Sequence, residues 1–233
     1  MIFINKIGNR MKKTFLFLLF TFLIQISIAA QSNSNPYLSA GMDLGYNNGL
    51  GVQGNLTISH FTKDIPISAR IGLGYTSVNP ENPVDARSIF INDATNGVPE
   101  KSGSVWDFKM DFLIPVQIFS FERSSLYFGP RYSQFTADFR FIDGNEFFNI
   151  NSNQWGVGFG VESNFSMTHR FDLVLTTGFD YYFLGIIEGH DTSYGPDGEI
   201  INGRKDYTYQ DADRAINQPK LVYKLLVGFN YFL

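Results

Sequence analysis

The chain has 233 residues, of which 16% are aromatic and 17% are charged, so it is too apolar for a disordered chain. It contains no cysteine, which excludes disulfides, thiolate metal sites and a lipid-modified cysteine at the N-terminus. The formal net charge is −4, and removing the four bases of the first thirty residues, which hold no acid, leaves −8. Without a basic stripe, nucleic acid is not expected as a partner.

The N-terminus has the three parts of a secretory signal peptide. Lys12 and Lys13 precede an apolar stretch of about fifteen residues, and the small residues Ala29 and Ala30 follow it. A membrane anchor is the alternative, but the apolar stretch is shorter than the ~20 residues of a spanning helix. We expect cleavage after Ala30, with Met11 as the true start, which gives a signal peptide over residues 1–30 and one domain over residues 31–233.

From Tyr37 onward, apolar residues recur with period two, which is the pattern of β-strands with one apolar face. Asn48 and Gly49 mark a tight turn after the first segment. Pro130 weakens the fifth segment, because proline cannot donate to a ladder. Eight such segments are predicted, over residues 37–46, 50–59, 65–76, 106–116, 125–133, 154–165, 171–181 and 221–233.

The residues on the two faces indicate a membrane barrel. One face carries large apolar side chains, such as Trp106, Phe108, Met110, Phe112, Ile114 and Val116 in the fourth segment, and the other carries Gly, Ser, Thr, Asn and scattered charges. A soluble barrel points its large apolar residues inward, whereas a membrane barrel points them at lipid. The sequence therefore predicts an all-β fold, an eight-stranded antiparallel up-and-down transmembrane β-barrel preceded by a signal peptide. A soluble sandwich is the alternative.

The connections sort by length, as expected when short periplasmic turns alternate with longer outer loops. The predicted turns cover residues 61–64, 120–124 and 166–170, and the predicted outer loops cover 47–49, 77–104, 138–153 and 185–220. The second and fourth of these loops have the polar, Gly- and Pro-containing composition of mobile segments.

Aromatic residues are predicted to form girdles at the two membrane interfaces. The girdle residues are Tyr46, Tyr75, Trp106, Tyr132, Trp155, Tyr181 and Tyr223 at the outer ends of strands, and Tyr231 at an inner end. They predict contact with outer-membrane lipid.

The last eight residues place Gly228 before alternate aromatics, including Tyr231, and end on Leu233. This run resembles the terminal insertion signal of outer-membrane barrels, although it ends in Leu rather than Phe, and the resemblance implies recognition by the barrel-assembly machinery. The leader ending in Ala30-Gln31, the eight strands and the long outer loops resemble the PorT-like outer membrane protein β-barrel domain family over residues 31–233. That resemblance implies a fold and a location in the outer membrane of a diderm bacterium rather than an activity.

The predicted interior face collects six acids and four bases, which are expected to pair because an unpaired charge in a confined interior is costly. These residues are Asp43, Arg70, Asp107, Lys109, Asp111, Arg131, Glu162, Asp172, Asp180 and Lys224. The preferred interpretation is a barrel filled by salt bridges that acts as a scaffold and presents outer loops for surface interaction or envelope assembly. The alternative is a narrow, cation-preferring pore for ions or small solutes.

A lipid-modifying enzyme is the less favoured alternative, because no nucleophile, base and orienting group are predicted to meet at one level. Ser166 and His169 are near in sequence but fall in a predicted turn, and no partner is evident for His60 or His190. Residues 191–199 could offer carboxylates to Ca²⁺ but lack the ligand order of a calcium loop. No catalytic residue, cofactor or metal is predicted, and the partner of the outer loops is not identified.

Overall fold

The computed structural model describes residues 36–60, 66–91, 97–118, 121–144, 146–190, 192–198, 200–201 and 204–233. The predicted signal peptide lies outside these residues. The elements in chain order are β1 (Tyr37–Asn47), β2 (Leu50–Ser59), β3 (Ser68–Val78), α1 (Pro83–Phe90), β4 (Val98–Ile118), β5 (Phe121–Ile142), β6 (Phe147–Ser166), β7 (Phe171–Tyr182), β8 (Ile187–Glu188), β9 (Ser193–Tyr194), β10 (Ile200–Ile201), α2 (Tyr209–Ile216) and β11 (Leu221–Phe232). Among the described residues, no helix is both long enough and apolar enough to cross a membrane.

Strands β1 to β7 and β11 form a closed antiparallel barrel. Consecutive strands from β1 to β7 pair with one another, β11 pairs with β7, and β1 pairs with β11, so none of these eight strands is left at an edge. Both ends of the described chain meet at one end of the barrel, where Ser39 lies opposite Phe232. We call this the terminal end and the opposite one the distal end. The eight-stranded all-β fold predicted from the sequence is confirmed.

The alternation of side chains accounts for the two surfaces of the barrel. In β1, Met42 and Leu44 are exposed on the outside while Asp43 between them is buried in the lumen. The tight turn predicted after the first strand is present, with Asn48 at φ 58°, and the N–H of Asn47 donates to the carbonyl of Gly49 at 2.8 Å. Pro130 lies within β5 and faces outward.

Two details at the terminal end differ from the prediction. The third strand begins at Ser68 rather than at residue 65. In β4 the register with β5 shifts between Val116 and Ile118, and Val116 is buried on the inside instead of sharing the outer face with Trp106. Val116 is still paired with Ser124 before the shift, and both residues line the cavity at the terminal end.

Three strands are about twice as long as the others, and this corrects the predicted loops. β4, β5 and β6 have 21, 22 and 20 residues, whereas the remaining barrel strands have 10 to 12. The nine residues of β6 that precede Gly156, its last residue paired with β7, extend about 30 Å along the strand at ~3.3 Å per residue, and β4 extends five residues beyond Gly103, its last residue paired with β3. The predicted loop over residues 138–153 is therefore mostly strand, and the one over residues 77–104 contains α1 and the first part of β4.

The projecting sheet carries a folded unit that we call the distal cap, residues 78–105, 134–153 and 183–220 as far as they are described. β8 pairs with β6, and β9 and β10 extend the same sheet. Helices α1 and α2 pack on its inner face around one apolar core. That core contains Ala86, Ile89, Phe90, Val105, Phe135, Ala137, Phe139, Phe141, Phe148, Ile150, Ile187, Tyr194, Tyr209, Ala212, Ala215 and Ile216. The segments whose composition suggested mobility are folded wherever the structure describes them.

Candidate functional site

The lumen holds the charged side chains of the barrel. All ten of the acids and bases on the predicted interior face are buried, and none is more than 8% exposed. They are Asp43, Arg70, Asp107, Lys109, Asp111, Arg131, Glu162, Asp172, Asp180 and Lys224. Their placement follows from the strand alternation, which aims every second side chain inward.

Five ion pairs join six of these residues into one network across the lumen. Arg70 pairs with Asp111 at 3.1 Å and with Glu162. Arg131 pairs with Asp111 at 2.6 Å and with Asp180 at 3.0 Å. Lys224 pairs with the second oxygen of Asp180. Because these side chains come from β3, β4, β5, β6, β7 and β11, the network ties most of the barrel wall together.

A small residue on the wall makes room for the network. A Cβ atom at Gly158 would lie 2.2 Å from Nη2 of Arg131 and 2.3 Å from its Cζ. Glycine at this inward position of β6 therefore lets the guanidinium lie flat against the backbone. The guanidinium is fully buried and held by carboxylates on both sides.

Amides and a phenol hold the lumen charges that the network leaves out. Asp43 accepts hydrogen bonds from Gln53 Nε2 and Asn55 Nδ2, both at 2.6 Å, and Lys109 donates to Oε1 of the same Gln53. Gln53 thus links a carboxylate to an ammonium group that does not contact it directly. These two amides were not identified from the sequence, because an interior Gln or Asn looks like any other polar residue of the inner face.

Two further partners were missed for different reasons. Tyr182 donates its phenolic hydrogen to Asp107 at 2.6 Å, from a position one residue beyond the predicted end of the seventh strand. Arg123 pairs with Asp172 at 2.9 Å, from within the predicted turn over residues 120–124. A buried carboxylate that has no basic side chain at its own level of the lumen needs another partner, and this requirement could have led to both residues.

The terminal end of the lumen is an open vestibule. A cavity of about 500 Å³ extends inward to Glu162, beside the ion-pair network. Its wall is mostly hydroxyls and amides, with Tyr37, His60 and Phe232 on one side, where ring centroids lie 5.5–5.7 Å apart. The remaining wall includes Ser39, Thr57, Ser59, Ser68, Ser124, Ser125, Asn164 and Asn230.

The distal cap lies across the other end of the lumen. Toward the distal end, the next inward residue after Asp107 in β4 is Val105, and the next after Ser133 in β5 is Phe135. Both are buried in the apolar core. Helices α1 and α2 share that core, so they lie on the lumen side of the projecting sheet. The lumen is therefore lined mainly by polar and charged side chains through the barrel, with buried apolar ones such as Val174, Val222 and Leu226 among them, and apolar packing covers its distal end.

Polar contacts fasten the two cap helices. Arg204 donates to the carbonyls of Ser88 at 2.6 Å and Ile91 at 3.1 Å, at the end of α1. Thr208 begins α2 with a reciprocal capping box, in which Asp211 accepts from the N–H of Thr208 and the Thr208 hydroxyl accepts from the N–H of Asp211. The Thr208 hydroxyl also donates to the carboxylate of Asp211 at 2.6 Å, and this bond, together with the one from the Thr208 N–H, lowers the pKa of Asp211 below its ordinary value. Burial raises the pKa of Tyr194, whose hydroxyl donates to the carbonyl of Ile89.

The outer surface of the barrel is an apolar belt with aromatics near its distal edge. Tyr75 and Trp106 form an edge-to-face contact at 5.0 Å, and Tyr132 and Trp155 lie at 5.0 Å. Tyr46, Tyr181 and Tyr223 are exposed on the same outer face, and Tyr231 lies near the terminal end, where it contacts Phe171. Gly228 and Tyr231 are in β11, and Leu233 follows it.

Of the residues considered for catalysis, Ser166 and His169 line one cavity at the terminal end together with Asp172. Arg123 donates to Ser166 and is ion-paired with Asp172, so one guanidinium holds both the hydroxyl and the carboxylate near the turn that carries His169. His60 packs its ring against Tyr37. Asp191 and Glu199 lie outside the described residues, and within the described ranges no group of three acids and histidines is placed to hold a metal ion.

Comparison with known proteins gives structural neighbours only. No family model matches the chain, and no curated protein matches it. The chain is similar to the crystal structure of a major outer membrane protein from Thermus thermophilus, with a TM-score of 0.69 and 22% identity over 86% of this chain and 100% of that one. Neisserial surface protein A gives a TM-score of 0.40 at 12% identity over 86% and 99% of the two chains. CarO of Acinetobacter baumannii gives 0.42 at 12% over 87% and 100%. The likeness to the Thermus protein agrees with the closed eight-stranded barrel.

Proposed function

We propose that this protein is an integral outer-membrane barrel of a diderm bacterium that holds the distal cap at the cell surface, for surface interaction or assembly of the envelope. The observation that carries the proposal is the cap itself. It has an apolar core of its own, and it is built on three strands that run without interruption out of the barrel. Function on such proteins commonly resides in the segments that a rigid scaffold presents.

The barrel has the physical pattern of a membrane protein. Large apolar side chains cover its outside, while its inside holds ten buried charges. In water this arrangement would leave an apolar surface exposed, whereas in a bilayer it matches the surroundings on both sides. A closed barrel also satisfies the backbone groups that lipid cannot.

The orientation follows from the ends of the barrel. Outer-membrane barrels keep short turns on the periplasmic side and longer segments outside. Both ends of the described chain, the vestibule and the short connection between β6 and β7 lie at the terminal end, whereas the cap and the tight turn after β1 lie at the distal end. The proposal therefore directs the vestibule to the periplasm and the cap outward.

The lumen supports a sealed scaffold over a pore. Ion pairs join Arg70, Arg131 and Lys224 to carboxylates in the middle of the barrel, and apolar side chains cover its distal end. An eight-stranded barrel has room for little more than its own side chains. The vestibule of about 500 Å³ is the one observation that favours the pore, because it carries solvent half-way into the lumen.

The narrower parts of the proposal rest on the sequence. They are the PorT-like relationship, export by a cleaved signal peptide, insertion by the barrel-assembly machinery, and a role that is not enzymatic. The last of these is supported by Arg123, which occupies both Ser166 and Asp172.

Because the chain has no cysteine, its orientation can be tested with single cysteines. Ser102→Cys places a thiol on the exposed surface of the cap, and Met167→Cys places one on an exposed turn at the terminal end. A membrane-impermeant maleimide added to intact cells should label the first variant and not the second, and both should react after lysis. Labelling of only the Met167→Cys variant in intact cells would show that the orientation is the reverse of the one proposed.

Conductance in a planar bilayer separates the scaffold from the pore. The refolded protein should give no steady channels, because the buried ion pairs around Arg131 cross the middle of the lumen. Steady conductance that Lys109→Ala or Arg131→Ala alters would overturn the scaffold and establish the pore. Heat-modifiable migration in gels is the control that each sample is folded.

A further inference from the structure

A group of exposed apolar side chains continues the outer belt beyond the end of β7. Phe183, Leu184 and Ile186 are 53%, 49% and 43% exposed, and we call these three residues the apolar foot. The segment from residue 181 to residue 187 contains no charged side chain. Exposed apolar side chains adjacent in sequence are unusual on a surface that faces water.

The foot faces the same way as the belt. The ring of Phe183 makes an edge-to-face contact at 5.6 Å with the outward-facing Tyr181, and its N–H donates to the carbonyl of Trp155 at 2.8 Å. Ile187 is fully buried in the cap core, so Ile186 directly before it points to the outside. The foot is therefore continuous with the distal aromatics of the belt.

Next to the foot, the outer faces of β5 and β6 are already polar, although Trp106 of β4 lies opposite Gln134. A Cβ atom at Gly185 would lie 2.3 Å from the carbonyl oxygen of Asn153, which fixes the level of the foot beside β6. Asn153 is opposite Gln134 of β5, and both side chains are exposed on the outer face. The apolar surface thus reaches farther along the barrel axis at β7 than at β5 and β6.

We infer that the apolar foot is a lipid-contacting surface that rests in the interfacial layer of the outer leaflet and anchors one side of the cap to the bilayer. This inference rests on the proposed function, since it needs the belt to be embedded in a membrane. Continuity with the belt identifies the occupant as lipid, because a bilayer that surrounds Trp155 and Tyr181 meets the foot next. Aromatic and apolar side chains at this depth are typical of the boundary between headgroups and acyl chains.

Single-tryptophan variants test this surface in the full-length mature protein. Replacement of both native tryptophans by phenylalanine, Trp106→Phe and Trp155→Phe, provides the background. Three variants are then compared: Phe183→Trp in the foot, Gln134→Trp at the same height on the polar wall, and Phe159→Trp in the middle of the belt. Each is refolded into phosphatidylcholine vesicles whose lipids carry bromine either near the ester carbonyls or near the chain ends.

The Phe183→Trp variant should show blue-shifted emission and stronger quenching by the shallow bromines than by the deep ones. The Gln134→Trp variant should emit as in water and be quenched by neither. The Phe159→Trp variant should be quenched by the deep bromines, which reports that the belt is embedded.

Two failures can be told apart. If Phe159→Trp is quenched but Phe183→Trp behaves like Gln134→Trp, the foot does not contact lipid and this inference is wrong while the membrane barrel stands. If Phe159→Trp is not quenched either, the proposed membrane location fails. Blue-shifted emission of Phe183→Trp without quenching by either lipid would mean that protein covers the foot, and would also overturn the inference.

Discussion

Strands β4, β5 and β6 run from the barrel into the distal cap, and their apolar and polar side chains exchange faces between the two regions. In β5 the inward residues Arg131 and Ser133 are followed by Phe135, Ala137, Phe139 and Phe141, while the outward positions change from Tyr132 to Gln134. β6 shows the same exchange, since its inward residues change from the polar Gln154 and Ser152 to the apolar Ile150 and Phe148. The strands run on without a break, so what changes between the two regions is the medium outside them.

This exchange shows that a two-residue alternation of apolar and polar side chains does not by itself identify which face of a strand is buried in a core. In the proposed membrane barrel the apolar face meets lipid, and the polar groups of the other face must pair with one another inside the lumen. In the cap the apolar face is covered by helices and the polar face meets water. The level at which the pattern inverts, between Tyr132 and Gln134 on β5, marks the edge of the apolar belt on that side.

The two regions should therefore fail in different ways, and Arg131→Ala is expected to have the largest effect. It leaves Asp111 with one base and Asp180 with Lys224 alone, inside a buried network. Removal of one partner of a buried ion pair costs about 3–5 kcal/mol. Urea unfolding in lipid vesicles should show the loss for the whole barrel.

Lys220→Ala is the control for this prediction, because it removes a base whose side chain is 46% exposed and which pairs with Asp213. An exposed pair contributes about 0.2–1 kcal/mol, so the midpoint should hardly move. Equal shifts for the two variants would mean that the lumen network does not stabilise the barrel beyond an ordinary surface pair.

Phe139→Ala should damage the cap and leave the barrel intact. Phe139 is fully buried in the cap core and packs against Phe148, with ring centroids 5.3 Å apart. Loss of a buried phenylalanine costs about 3 kcal/mol or more, here from a unit with a small core. Limited proteolysis should cut within residues 78–105 or 183–220, while heat-modifiable migration of the barrel persists.

Phe147→Ala is the matched change, since Phe147 belongs to the same hairpin but is 64% exposed. It should leave the protease pattern unaltered. If Phe139→Ala also abolished heat modifiability, the cap and the barrel would form one cooperative unit and the comparison between them would fail.

The sequence predicted the barrel well because its signal is local. The alternation of apolar and polar side chains along each strand depends only on the surroundings of its two faces. The closed eight-stranded fold and the identity of the inward side chains follow from it. The cap was missed because the predicted strands ended at the girdle aromatics Trp106 and Trp155, although Phe135, Ala137, Phe139 and Phe141 continue with period two. The helices that cover them are only eight residues long, too short for a clear apolar repeat, and their start signals, Asn82 before Pro83 and Thr208 three residues before Asp211, were not used in the prediction.

The pairing inside the lumen could not be predicted for a different reason. The sequence says which residues point inward, but the partners depend on the register between strands. Arg70 is opposite Asp111 in the ladder, yet it also reaches Glu162 across the lumen. Gln53 and Tyr182, which hold Asp43 and Asp107 outside the ion-pair network, could be identified as partners only when the register was known, because neither carries a charge.

Gly158→Ala tests the packing of the barrel lumen by adding one methyl group. The new Cβ would overlap the guanidinium of Arg131, which cannot retreat without breaking its ion pairs. We expect a loss of about 1–3 kcal/mol, as in other overpacked interiors. Gly54→Ala is the control, since nothing lies within 4 Å of its Cβ position on the outer face. A destabilisation of the Gly54→Ala variant equal to that of Gly158→Ala would attribute the effect to backbone changes rather than to the lumen.

The smallest expected effect lies in the cap helix α2. Thr208→Ala removes the hydroxyl that caps the N–H of Asp211, and loss of an N-cap side chain costs about 1 kcal/mol. Hydrogen exchange of the α2 amides should accelerate at neutral pH, while the amides of β1 and β2 exchange as before. Acceleration in the barrel strands as well would show that the cap supports the barrel.

The same capping box gives the cap a pH dependence. The hydrogen bonds from Thr208 hold the pKa of Asp211 below its ordinary 3.8, so the carboxylate stabilises α2 at every pH above that value. This contribution is lost as the pH falls through the lower folded-state pKa. Exchange of the α2 amides, corrected for the intrinsic rate, should therefore accelerate below pH 3.8 in the wild type and much less in Asp211→Asn. A wild-type profile that matches the Asp211→Asn profile would assign any acid sensitivity of the cap to another group.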